Sequence, residues 1–202
     1  MMKDWLPFRD TFLFEMLAVE AFSLDKSCFK CHDFHNSIYR CSNCFHPGVL
    51  CLKCCLETHA WHPFHRIKKW TGHYFAPTTL RELGYILHLG HGGAPCPTLS
   101  DQGAESKGES TTVLTVVDIG HIHSHKASWC KCSDAPPKVV QLLKSHLFPG
   151  SIHSPRTGFT FRVMEYYHMD SNECNTPAQS FYTKLKRLTN RYHPHSVPVS
   201  SV

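Results

Sequence analysis

The chain has no apolar run approaching the roughly 18–20 residues that a membrane span needs, so no membrane partner is expected. Charged residues are scarce, at 18% against 42% hydrophobic, a balance that builds a core and excludes a disordered polyelectrolyte tail. An uninterrupted apolar segment of export-signal type is missing from residues 1–22, because Lys3, Asp4, Arg9, Asp10, Glu15 and Glu20 break it. The converging carboxylates of two-metal phosphoryl chemistry are missing too, since Asp118, Glu165, Asp170 and Glu173 are scattered. So is the His-x-Glu with a following Pro-Cys-x2-Cys of a zinc deaminase. There is no internal repeat. These absences set aside nuclease, transposase and deaminase activity; the chain is expected to be a non-enzyme without a small-molecule substrate.

Thiols and imidazoles are abundant instead: 11 Cys and 17 His in 202 residues, a length for one compact domain or two small ones. Without an export signal, an intracellular, reducing compartment is expected, where clustered cysteines bind metal more often than they pair as disulfides. Cys28-x2-Cys31 is followed after nine residues by Cys41-x2-Cys44, and after six more by Cys51-x2-Cys54; His59, His62 and His65 close the set. Two thiolates separated by two residues reach one ion at about 2.3 Å. Six cysteines and two histidines suit two closed tetrahedral zinc sites. Interleaved pairing is preferred, with Cys28, Cys31, Cys51 and Cys54 on one ion and Cys41, Cys44, His59 and His65 on the other; sequential pairing stays open. His62 reads as a surface residue, Cys55 as a packed thiol, and the isolated Cys174 as structural. The order of six cysteines and then a histidine pair is similar to ZZ and B-box cross-braces and fits a RING poorly.

A looser constellation follows. Cys130-x-Cys132, with His91 and Cys96 around a Gly-Gly-Ala-Pro turn, makes a third site from Cys96, Cys130, Cys132 and either His91 or His123. Its competing reading is a set of hydrogen-bonded core or surface histidines.

Charge adds a partner. The net charge is +5, and from Asn175 onward there is no acid, while Lys184, Lys186, Arg187 and Arg191 are basic. Arg66, Lys68 and Lys69 precede Trp70, a basic run beside an aromatic that suits phosphate contact with stacking. Solvated lysines and a core tryptophan are the plainer readings.

Apolar spacing predicts a helix over 10–22. Gly90 to Thr112 reads as loop, and Thr111 to Ile119 as a strand paired with the segment before Cys130. A helix is predicted after Pro136-Pro137, with an apolar stripe from Val139 to Leu147 ended by Pro149-Gly150. Phe159 to Tyr167 is ambiguous, and Thr176-Pro177 opens a last helix that runs to Asn190. The expected fold is an irregular α+β protein: a zinc-stabilised cross-brace (ZZ/B-box-like) module packed on a small β-containing unit with flanking helices. Its expected parts are an N-terminal helix over 1–22, the zinc module over 23–70, an α+β unit with the second Cys/His cluster over 71–192, and a flexible tail over 193–202.

The blocks WLPFRDTFLFEML, HPFHRIKKW, LGYILHLGHGGAPCP, HIHSHKASWCKC, QLLKSHLFPGSIHSPRTGFTFRVM and SFYTKLKRLTN follow one another in an order that resembles the CxC 2-like cysteine cluster domain associated with KDZ (Kyakuja–Dileera–Zisupton) transposases. The resemblance runs from Trp5 to about Asn190. It implies zinc held by the six paired cysteines with His59 and His65, a further Cys-x-Cys at Cys130 and Cys132 with Cys96 and His91, a fungal origin, a nuclear location and contact with DNA. A transposase or a chromatin protein is the implied protein partner. In the family the domain lies N-terminal to an RNase H-like transposase; this chain is expected to be the cysteine-cluster module alone, with a truncated, non-functional transposon fragment as the alternative.

Overall fold

The computed structural model describes residues 2–20, 27–45, 48–100 and 111–197. Residues 21–22 of the predicted first helix, 101–110 of the predicted loop and 198–202 of the predicted tail lie outside the described residues. The chain divides into two compact units, Met1–Leu83 and Gly84–Val202, and the architecture is mixed α+β with two sheets.

In the first unit, a short helix α1 (Met2–Trp5) and a 3-10 turn lead into α2 (Arg9–Glu20). No residue of α2 is buried: Phe12, Leu13, Phe14, Met16 and Leu17 are exposed together with Trp5 and Phe8. The spacing specifies the helix without supplying a core for it to cover. Its last turn is tied down by Arg40, whose Nη1 donates to the Val19 carbonyl at 3.0 Å and stands 3.6 Å from the Glu20 carboxylate.

Strands β1 (Ile38–Cys41), β2 (Leu50–Cys51), β3 (Ile67–Trp70) and β4 (Phe75–Thr78) form an antiparallel sheet in the order β2-β1-β3-β4. Helix α3 (Leu52–His59) starts directly from β2. The buried aliphatic and aromatic residues here are few: Ile38, Tyr39, Ile67, Phe75 and Leu80. Among the described residues, the rest of the interior is Cys28, Cys41, Cys51, Cys54, Cys55, His59 and Arg40. Trp70 is half-buried, its ring 5.0 Å from that of Phe75.

The second unit is built on a five-stranded mixed sheet. It comprises β5 (Ile86–Leu89), a turn of helix α4 (Pro97–Ser100), β6 (Thr111–Asp118), β7 (His121–Trp129), α5 (Lys138–Lys144), β8 (Leu147–Pro149), β9 (Thr157–Thr160), α6 (Phe161–Cys174) and α7 (Ala178–Thr189). The strand order is β5-β7-β6-β9-β8. β6 and β7 pair antiparallel over their full length, as expected, from Thr111 opposite Ser128 to Asp118 opposite His121. Gly120, at φ +80°, supplies the left-handed residue of the connecting turn. One face of the sheet packs Val117, Ile122 and Phe159 against Val163 of α6 and Phe181 and Leu185 of α7.

Two local readings are corrected. The stripe predicted to continue to Leu147 stops at Lys144, because His146 takes φ +58° and turns the chain, leaving Leu147 to start β8. The ambiguous stretch is a strand followed by a helix, and Thr160 makes the change: its hydroxyl accepts from the Val163 N–H at 3.3 Å as the cap of α6. Thr160 also donates to the buried Asp118 carboxylate at 2.7 Å, and Arg162 grips that carboxylate through both Nε and Nη2. One acid on β6 therefore ties β9 and α6 to the sheet. In α7 the cap position is Pro177 rather than Thr176.

Candidate metal centres

All 11 cysteines are free thiols, and ten of them lie in the two cysteine-rich regions noted in the sequence. Donors at about 2.3 Å (sulfur) and about 2.05 Å (nitrogen) from one tetrahedral ion stand about 3.6 Å apart, and two such sulfurs about 3.8 Å apart. Three groups of four Cys/His donors meet this scale, each with its ligand atoms within 4.8 Å of one another.

The first group is Cys28, Cys31, Cys51 and Cys54. The loop after Cys28 closes on itself: the Cys28 N–H donates to the Asp33 carbonyl at 2.9 Å, and the His32 N–H to the Cys28 carbonyl at 2.7 Å. Pairing of β1 with β2 sets Ile38 opposite Cys51. The Cys51 N–H then donates to Cys28 Sγ at 3.3 Å, and the Cys54 N–H to Cys51 Sγ at 3.5 Å. Burial pushes the Cys28 thiol up, but amide donors from Cys31, Cys51 and Lys30 outweigh it and bring it down to about 6. Burial and the neighbouring thiols of Cys51, Cys28 and Cys31 push Cys54 up to about 12. Thiolate is the ligating form of cysteine, so an ion held by this group would be bound with release of protons.

Cys41, Cys44, His59 and His65 form the second group. The N–H groups of Asn43 and Cys44 both donate to Cys41 Sγ at 3.3 Å, so the Cys-x2-Cys turn stabilises its own thiolate. His65 Nδ1 lies 3.5 Å from both sulfurs, and His59 Nε2 lies 3.7 Å from Cys44 Sγ. The other nitrogen of His59 contacts the Cys55 carbonyl at 2.8 Å, which fixes the proton on Nδ1 and turns Nε2 toward the thiols. Burial opposes a charge on His59, yet Cys41 and Cys55 raise it to about 11. His62 stacks on His65 with ring centroids 4.8 Å apart and stands outside the group. Cys55 is buried beside His59.

The third group, His91, Cys96, Cys130 and Cys132, belongs to the second unit. His91 Nε2 lies 3.2 Å from Cys130 Sγ and 3.5 Å from Cys132 Sγ, and Cys96 Sγ lies 4.0 and 3.7 Å from the same two sulfurs. His91 is therefore the histidine that meets the thiols, delivered by a turn with positive φ at His91, Gly92 and Gly93. His123, its sequence-level alternative, sits on β7 between the rings of His121 and His125 and is not in the group. Amide donation from Lys131 and the neighbouring His91 bring the Cys96 thiol down to about 6 against the effect of burial. The buried Gln141 of α5 clamps the Cys130 backbone, accepting from its N–H at 2.9 Å and donating to its carbonyl at 3.2 Å. Nothing in the local sequence around Cys130 announces this partner.

Gly90 gives a direct check on the third group. A Cβ at this position would stand 2.9 Å from the Cβ of Cys130, a clash that only a backbone shift relieves. Gly90→Ala is expected to cost one equivalent of bound metal while the far-ultraviolet circular dichroism stays unchanged. Full metal content in that variant would show that the close approach does not govern the site.

The basic residues singled out in the sequence are dispersed. Arg66 is exposed, and its backbone N–H and Nε bond to Asn43 Oδ1; Lys68 and Lys69 point to opposite faces of β3. On α7, Lys184 pairs with Asp170 at 3.0 Å and Lys186 lies over the Tyr182 ring, while Arg187 and Arg191 are exposed. A basic groove that sequence reasoning missed lies elsewhere in the second unit. A cavity of about 740 Å³ is lined by Lys138, His153, Arg156, Trp129 and the hydroxyls of Thr112 and Thr157, with no acid among its described lining residues. Lys138 opens α5 whereas His153 and Arg156 lie beyond β8, so no local spacing marks the groove. Among the described residues, no helix is long and apolar enough to cross a membrane.

Comparison with known proteins places the chain. No curated protein and no solved structure matches it. A family model, CxC2-like cysteine cluster associated with KDZ transposases, matches residues 80–193. That span contains the third donor group whole, and the first two groups precede it. Covering more than half of the 202 residues, the match shows that the chain belongs to the CxC2-like cysteine cluster family associated with KDZ transposases.

Proposed function

We propose that the chain is a zinc-stabilised recognition module that contacts DNA in the service of a KDZ-type transposase, without catalytic activity of its own. The observation that carries this reading is the donor chemistry: three four-donor groups made only of cysteine and histidine, two of them interleaved through one small sheet. Thiolate and imidazole in closed sets of four suit structural Zn²⁺ and leave no position for a reacting water. The interleaving of the first two groups supports the ZZ/B-box-like cross-brace.

Support for DNA as partner comes from the groove lined by Lys138, His153 and Arg156 together with Thr112, Ser154 and Thr157. A cation that neutralises a phosphate releases a counterion, so removing one such cation reduces the slope of log K against log salt by about 0.9. The full zinc-loaded chain is expected to bind arbitrary duplex with a steep salt dependence, and Lys138→Gln with Arg156→Gln is expected to flatten that slope by about 2. Binding that is absent or independent of salt would refute the DNA reading.

A second reading, a protein-interaction module of ZZ/B-box type, is favoured by one observation. An apolar groove of about 470 Å³ between α6 and α7 is lined by Met164, Tyr167, Phe181 and Tyr182. Capture of histone tails or of a transposase segment, with no response to duplex, would select this reading over the first. A nuclear location is proposed with either reading.

A further inference from the structure

Beyond the three closed groups, one donor set has no assigned role. Cys31, Asp33 and His35 bring a thiol, a carboxylate and an imidazole within 4.8 Å of one another. Asp33 and His35 flank Phe34, whose antiparallel bridge to Ser27 holds this arm of the loop in place. The left-handed His32, at φ +61°, makes the turn that carries the chain from Cys31 back toward Cys28. His35 Nε2 stands 3.5 Å from Cys31 Sγ, the separation of about 3.6 Å that a shared tetrahedral ion requires. Cys31 and His35 are half-buried and Asp33 is exposed, so the fourth corner of such a site faces water.

We infer that Cys31, Asp33 and His35 form an auxiliary, half-open site for a divalent zinc-like ion, which shares the Cys31 thiolate with the closed Cys28/Cys31/Cys51/Cys54 site. The inference rests on the zinc reading of that closed site. A dication in a set of four thiolates leaves a net charge of −2 on the cluster, and Asp33 adds another negative charge next to it. A thiolate sulfur keeps lone pairs after binding one ion and can bridge to a second, which the local negative charge attracts. Three protein donors and a water hold an ion less firmly than four protein donors. The auxiliary ion therefore leaves first, and the site serves as the accessible position through which metal enters or is exchanged. The competing arrangement is a His35 that only donates a hydrogen bond to the Cys31 sulfur.

Cadmium-113 NMR of the full chain separates these. Loading with excess ¹¹³Cd²⁺ is expected to give four resonances, two of them split by coupling through the shared sulfur. In His35→Ala and in Asp33→Ala the fourth resonance and the splitting are lost, while the other three remain. Three unsplit resonances at any cadmium excess, or a fourth that survives both substitutions, would overturn the auxiliary site and leave the zinc reading standing. No protein-bound resonance at all would overturn both.

Discussion

Stripping metal from the full chain is expected to unfold the first unit and leave the sheet of the second unit standing. The asymmetry follows from what each interior is made of. Among the described residues of the first unit, Ile38, Tyr39, Ile67, Phe75 and Leu80 are the buried hydrophobic residues other than the cysteines. That is too little apolar surface to offset the ordering of a four-stranded sheet and its loops. A structural zinc contributes on the order of 10 kcal/mol in small modules, comparable with the whole stability of a domain. The second unit instead buries Leu114, Val116, Val117, Ile122, Trp129, Leu142, Leu147, Val163, Phe181 and Leu185, a core independent of thiols. After chelation at neutral pH, amide NMR signals of residues 28–78 should collapse to unfolded positions while those of β6 and β7 keep their dispersion. Cys28→Ser or Cys51→Ser should reproduce the first effect with zinc present. A first unit that stays folded in these variants, or without metal, would refute its dependence on the ion.

The second large effect is expected at Arg162. Its guanidinium is about half exposed, yet it is the charged partner of Asp118, whose side chain is only 3% exposed. Arg162→Met removes that partner and leaves a buried carboxylate held by the Thr160 hydroxyl alone. Breaking such a pair from the charged side costs about 3 kcal/mol at neutral pH. Adding Asp118→Asn removes the stranded charge, so the double variant should recover part of the loss. Urea unfolding followed on the second unit, with zinc in excess, reads both values. A single variant as stable as the parent, or a double variant less stable than the single, would contradict the role given to this carboxylate.

Much of the first cluster is legible in its spacings. Three Cys-x2-Cys pairs with trailing histidines mark which residues could hold metal, and β2, which places Cys51 against Cys28, supplies the interleaving that spacing alone leaves open. The third cluster is legible except for its histidine. His91 and His123 are equal candidates by composition. The left-handed turn over His91 to Gly93 turns the first toward the thiols, whereas strand alternation seats the second in a row of histidines on β7.

Long-range pairing hides the rest. Parallel pairing of β6 with β9 brings Thr115 opposite Thr157. With it the basic segment at His153–Arg156 reaches the groove beside Lys138. No periodicity in the chain reports such a contact. The break at His146 is hidden for a different reason: the apolar series on either side continues at helical spacing, and only the positive φ of His146 ends the helix. Cys174, read as structural, is exposed at the end of α6, because an isolated cysteine carries no spacing from which its burial can be told.

If the three closed groups are structural zinc sites, their ions can be counted. Native mass spectrometry of the full chain, purified under reducing conditions and dialysed against metal-free buffer, does so directly. Three zinc ions per chain are expected, falling to two in Cys130→Ser. A metal-free chain with native tertiary structure would contradict the structural role of zinc.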